Sequence, residues 1–128
     1  VALAERLAEA LTDVMPVEVE EDGALTVRHD GTFASLRTVT IAEDIVMVSV
    51  TQVLAWDLPL TADLRKRVAA QAQSTMLGTV TLVEQPGKRG DVMLRYNFPG
   101  DGLENHALST LVLMVLAGGV DARAALTG

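Results

Sequence analysis

The chain has 128 residues, of which 49% are apolar and 21% charged, and a formal net charge of −7 at pH 7. That length suits one hydrophobic core, since single domains commonly run to about 100–150 residues, and we expect one domain over residues 1–128 that is too apolar for disorder. The acidic balance opposes the phosphate contacts that supply nucleic-acid affinity and disfavours anionic membrane surfaces, while the absence of cysteine removes disulfides, thiolate chemistry and the usual structural zinc sites.

Leu3, Leu7, Leu11 and Val14 recur at helical spacing with Glu5, Arg6 and Glu9 between them, so the chain opens with an amphipathic helix. Met15-Pro16 ends it, because proline disfavours a helical conformation in the residue before it. Val17-Glu18-Val19-Glu20 alternates with period two and runs into the turn Glu21-Asp22-Gly23, the pattern of a short strand. Leu25, Val27 and His29 mark the next strand, and Asp30-Gly31 is a strong hairpin dipeptide. In the strand that starts near Thr32 the apolar phase slips. Phe33, Val39 and Ile41 lie on one parity and Ala34 and Leu36 on the other, which predicts a bulge near Arg37. Ala42-Glu43-Asp44 then turns the chain into the longest strand, Ile45 to about Leu54.

Leu58-Pro59-Leu60-Thr61 ends this part of the sheet and offers Thr61 as a helix N-cap, with Asp63 favourable to the dipole in the first turn. Leu64, Val68, Ala72 and Met76 predict a helix over about 62–77 that stops at Gly78. Strands follow at Thr79 to Glu84 and Asp91 to Phe98, joined by the loop Gln85-Pro86-Gly87-Lys88-Arg89-Gly90. A last helix is expected from Leu103 to Ala117, broken by Gly118-Gly119 before a short tail. Its apolar run, Leu111 to Ala117, is shorter than the ~20 residues of a membrane-spanning helix and is expected to be buried. The N-terminal residues lack the basic and continuous apolar regions of a signal peptide, so a cytoplasmic protein is expected. The order α-β-β-β-β-α-β-β-α, without repeat or linker, predicts an α+β domain: an antiparallel sheet flanked by helices that pack mainly on one face.

Catalysis needs a nucleophile with its base, a carboxylate pair, a metal or a phosphate cradle. His29-Asp30 has the makings of a base and its orienting carboxylate, but Asp30-Gly31 is explained by the hairpin alone. His29, His106 and Glu104 show no local metal-ligand spacing, and no serine sits in a G-x-S-x-G context. Gly87-Lys88-Arg89-Gly90 lacks the spacing and the following helix of a phosphate loop. The residues therefore point away from an enzyme, and no cofactor or metal is expected.

What the sequence does carry is apolar surface in excess. Val92, Leu94, Tyr96 and Phe98 alternate with Met93, Arg95 and Asn97, as a strand with one buried face requires. The strand from Ile45 is apolar on both faces, Ile45 and Met47 on one, Val46, Val48 and Val50 on the other. Either helices cover both faces of it, or one face awaits a partner. The segment Leu111 to Ala117, apolar around its whole circumference, poses the same choice.

Several segments resemble the YbjN family, whose fold is similar to that of the CesT-type chaperones of type III secretion. The first helix with Glu18-Val19-Glu20-Glu21-Asp22-Gly23-Ala24-Leu25-Thr26-Val27 is similar to the family's helix, short strand, acidic Asp-Gly turn and second strand. Leu77-Gly78-Thr79-Val80-Thr81-Leu82, Asp91-Val92-Met93-Leu94-Arg95-Tyr96 and the apolar last helix resemble its C-terminal half. Gln71 or Gln73 stands where the family often has asparagine. The resemblance implies a non-enzymatic, chaperone-like role in binding a protein or peptide client, commonly as a homodimer, and the Ala- and Val-rich composition fits actinobacterial relatives of this kind.

The expected function is accordingly to hold a client segment against an apolar sheet or helix surface; the alternative is a module whose apolar surface makes a homodimer or interdomain contact. The candidate contacts are Val46, Val48, Val50, Leu54 and Trp56, with Leu3, Leu7 and Leu11 as a second patch. Trp56, the only tryptophan, precedes Asp57-Leu58-Pro59 at a strand end and fits a core or loop anchor equally well.

Overall fold

The computed structural model describes residues 2–127. Its elements follow the expected order: α1 (Leu3–Thr12), β1 (Glu18–Val19), β2 (Leu25–His29), β3 (Thr32–Ala42), β4 (Ile45–Pro59), α2 (Ala62–Ser74), β5 (Thr79–Gln85), β6 (Arg89–Pro99) and α3 (Asn105–Thr127). The strands form one six-stranded sheet in the order β1-β2-β3-β4-β6-β5, with every pairing antiparallel. The chain leaves β4 through α2, returns as the edge strand β5, and inserts β6 between the two.

All three helices lie on one face of this sheet. Leu7 and Leu11 of α1, Leu64 and Val68 of α2 and Leu108, Val112, Val115 and Leu116 of α3 share one core with Leu36, Val48, Val50, Val92 and Leu94 of the strands. Arg6 ties α1 to the start of α3: its Nε donates to Asn105 Oδ1 at 3.1 Å and its Nη2 to the Leu103 carbonyl. Thr61 caps α2 as expected, its Oγ1 accepting from the Leu64 N–H at 3.0 Å.

Three local expectations are corrected. No bulge occurs near Arg37: β3 and β4 pair without interruption from Phe33↔Val53 to Thr40↔Val46, and the register shifts only between Thr40 and Ala42. The apparent slip in phase arises because Phe33, Val39 and Ile41 are apolar residues on the solvent face. Second, α2 stops at Ser74: Thr75 donates both its N–H and its Oγ1 to the Gln71 carbonyl, at 3.0 and 2.7 Å, and the chain turns extended there. Gly78 belongs to the entry of β5, where its φ of 108° suits glycine and a Cβ would lie 2.8 Å from Leu94 Cδ2.

Third, Gly118-Gly119 does not break α3, which continues to Thr127. At Gly119 the helix passes directly over Gln52 of β4, and a Cβ there would stand 1.9 Å from the side-chain oxygen of Gln52. The helix accepts a cost of about 1 kcal/mol for glycine in its interior because nothing larger fits. At 23 residues α3 is also long and apolar enough to cross a membrane by length and composition. In this fold one stripe of it, from Leu108 to Leu126, packs on the sheet as the central core helix.

Candidate binding surface

With the three helices on one side, the other face of the sheet carries no layer among the described residues. The inner face takes alternate positions of β4, namely Val46, Val48, Val50, Gln52 and Leu54, and of these all but the half-buried Val46 have no exposed surface. This places seven of the eight sequence candidates. Val48, Val50, Leu54, Leu3, Leu7 and Leu11 are buried core residues and the half-buried Val46 packs against them, so none of the seven lies on the uncovered face. The physical reason is pairing across the layers: α3 covers the even positions of β4, and the α1 stripe packs in turn against α3 and β3.

Trp56 is different. By simple alternation it would follow Leu54 into the core, yet it is 54% exposed on the outer face. Two irregularities in β4 redirect it. Val53 pairs with Met93 and Ala55 with Val92, so Leu54 and Ala55 both point inward and the parity inverts at Trp56. A second register shift follows between Ala55 and Leu58, with Asp57 in the left-handed region at φ 56°.

Both irregularities are fixed from a distance. Arg123 of α3 donates from Nη1 to the Leu54 carbonyl at 2.7 Å, satisfying a group that the bulge removes from the ladder. The Asp57 N–H donates to Asp91 Oδ1 at 2.9 Å, and Arg89 binds Asp57 twice, from Nε to Oδ1 at 3.0 Å and from Nη2 to its carbonyl. Non-glycine residues are held at positive φ only where the surroundings over-determine them, as they do here. The result is that Trp56 stands against Phe33 in a T-shaped contact, ring centroids 5.8 Å apart at 63°, with Phe33 itself 38% exposed.

At the opposite end of the same face Val39, Ile41, Ile45 and Met47 form a second apolar area, and Val39, Ile41 and Met47 line a shallow hollow with Ser49 and Asn97. Between the two ends the outer face is polar, with Ser35, Ser49, Thr51, Arg37 and Arg95. Arg37 is paired with Asp22 at 2.8 Å and Arg28 with Glu18 at 3.7 Å. Asp22 is held below its ordinary value of 3.8, chiefly by the Ala24 backbone N–H and then by the Arg37 hydrogen bond. Arg95 has no carboxylate within 4.0 Å among the described residues.

Beneath this face lies a buried polar contact. Gln52 donates from Nε2 to Thr32 Oγ1 at 2.9 Å and to the Leu116 carbonyl at 3.1 Å, while its Oε1 has no partner among the described residues. It locks α3 to β3 and β4 at the point that Gly119 opens.

Other features offer less. His29 Nε2 lies 3.9 Å from Asp30 Oδ2 at a hairpin tip, where Asp30 adopts a φ of 45° as a turn residue. Among the described residues no three side chains of metal-ligating type converge. An apolar cleft of about 390 Å³ runs between the end of α2 and α3, with Met76, 89% exposed, and Met114 on its walls.

No protein-family model and no curated protein matches this sequence. Solved structures do match its fold. The type III secretion chaperone SycH of Yersinia pestis, solved in complex with a stable fragment of YscM2, superposes with a TM-score of 0.56 at 13% identity, over 94% of this chain and 98% of its own. YbjN from E. coli, a candidate transcription regulator, superposes with a TM-score of 0.65 at 16% identity, over 96% of this chain and 92% of its own. The chain therefore has the fold shared by YbjN and the type III secretion chaperones, as the sequence resemblance implied.

Proposed function

We propose that this protein is a non-enzymatic binding module that holds a segment of another polypeptide on the uncovered face of its sheet, centred on Phe33 and Trp56. The single observation that carries the reading is the presentation of Trp56: two irregularities in one strand, each anchored by distant polar residues, turn the only tryptophan away from the core. Burying Trp56 and Phe33 under a partner would supply the aromatic anchors that dominate binding energy at many interfaces. The SycH structure, in which a chaperone of this fold holds a fragment of another protein, is consistent with such a role.

A homodimer is the second reading, favoured by the α2–α3 cleft, where Met76 stands almost fully exposed beside Met114. The two readings use different surfaces. Selection of random peptides displayed on phage against the protein separates them: the first reading expects selected peptides to change Trp56 emission and to lose at least about tenfold in affinity with Trp56→Ala or Phe33→Ala. Peptides that bind both variants as tightly as the parent would contradict it. Sedimentation of the Met76→Glu and Met114→Glu variants, expected to shift a dimer to monomer, tests the second.

A further inference from the structure

Resting on the proposal that the outer face binds a polypeptide, we infer that its occupant is an acidic amphipathic helix lying along β4, with apolar anchors at both ends and a carboxylate between them over Arg95.

Three observations define this occupant. The first is the backbone. Under the outer face β4 is paired on both sides, with β3 and with β6, so its backbone groups are engaged and an extended segment laid across it would leave its own polar groups unpaired. A helix satisfies its backbone internally, and the inner face of this same sheet is covered by helices. A strand belongs at a sheet edge, whereas the apolar residues in question are on the face.

The second is the spacing of the apolar ends. Trp56, Phe33 and Val53 form one anchor site and Met47, Ile45 and Val39 the other. From Val53 to Met47 along β4 is six residues, which at about 3.3 Å each makes about 20 Å. A helix rises about 1.5 Å per residue, so apolar side chains at i and about i+14 meet both ends, and the residue near i+7 on the same stripe lies over the centre.

The third is charge. That centre is polar, and Arg95 is its cation without a carboxylate partner among the described residues, whereas Arg28 and Arg37 already have theirs. In a chain of net charge −7, an acidic segment is repelled by most of the surface and finds its complement here, which fixes where it docks as well as what docks. The same charge argues against a second copy seated face to face across a two-fold axis at this centre, because Arg95 would meet Arg95 and two acidic bodies would approach.

The single tryptophan makes the test direct, since Trp56 emission reports only on this face. Three synthetic peptides of about 20 residues are titrated into the intact protein: an amphipathic helix with leucines at i and i+14 and glutamate at i+7, the same helix with lysine at i+7, and the glutamate peptide broken by a central proline. The expected result is a saturable blue shift with the glutamate helix, binding at least about tenfold tighter than either control and weakening with salt, and a reversed glutamate–lysine preference in Arg95→Glu. Equal binding of the lysine or the proline peptide overturns the acidic-helix inference and leaves the binding surface standing. Absence of any shift with all three overturns the inference, and it overturns the binding surface as well only where phage-selected peptides also leave Trp56 emission unchanged. A blue shift produced by raising the protein concentration alone makes a second copy the occupant and overturns the inference as well.

Discussion

The two faces of the sheet are made from the same strands and differ in what closes them. On the inner side Leu36, Val48, Val50, Leu54, Val92 and Leu94 meet the stripes of three helices and have essentially no exposed surface. On the outer side Phe33, Val39, Ile41, Ile45 and Trp56 remain between 38% and 61% exposed, and none of the described residues covers them. Nor is the outer face simply the reverse of the core. Its apolar residues gather at two ends around a polar centre, and one of them reaches the surface only through a bulge held by Arg123 and a turn held by Asp91 and Arg89. The inner face contributes stability, and the outer face maintains exposed aromatic surface by specific contacts, the division expected if the outer face binds a partner as proposed.

Neighbouring residues of β4 give the sharpest contrast. Leu54→Ala, deep in the core, is expected to lower the unfolding free energy by about 2–5 kcal/mol in urea titrations. Gly119→Ala drives a Cβ into Gln52 and should cost about 1–3 kcal/mol, with much of the loss recovered in a Gln52→Ala background. Full cost in both backgrounds would show that the close crossing of α3 over Gln52 is not what requires glycine. Arg123→Met connects the two faces: it frees the Leu54 carbonyl, so we expect a loss of about 1 kcal/mol together with altered emission and anisotropy of Trp56. Unchanged emission would break the link between the helix layer and the display of Trp56.

Trp56→Ala, two residues beyond Leu54, should cost less than about 1.5 kcal/mol, the scale of its contact with Phe33, while removing peptide binding. A loss as large as that of Leu54→Ala would return Trp56 to the core. The smallest effect concerns pH. Because the folded protein lowers the Asp22 pKa, its contribution is complete above the ordinary value of 3.8 and is lost as pH falls through the lowered one. The difference in unfolding midpoint between the parent and Asp22→Asn should therefore be small at neutral pH and vanish in strong acid; a difference that grows on acidification has the wrong sign.

The order of the elements was legible because it rests on local signals: helical spacing in Leu3, Leu7 and Leu11, Asp30-Gly31 at a hairpin, Thr61 at a cap. The run of hairpin strands pointed to helices mainly on one face, but the strand from Ile45, apolar on both faces, left open whether helices covered both. The proposed binding face was not legible. Val48, Val50 and Leu54 share a parity with Gln52, and nothing local tells that a strand face carrying a glutamine is the buried one. Its burial depends on Gly119 in a helix far along the chain. The inversion that exposes Trp56 likewise depends on Arg123, Asp91 and Arg89, none of them near it in sequence. A polar residue inside an apolar parity and a glycine pair inside an apolar helix were the available hints, and both mark the same crossing point.

The claim that the outer face stands open in the isolated chain is tested most directly by acrylamide quenching of Trp56 in dilute protein. The account predicts red-shifted emission and efficient quenching in the free protein, with protection only when the glutamate-centred helix is bound. Blue, protected emission in the dilute, unliganded protein would contradict it, because the face would then already be covered.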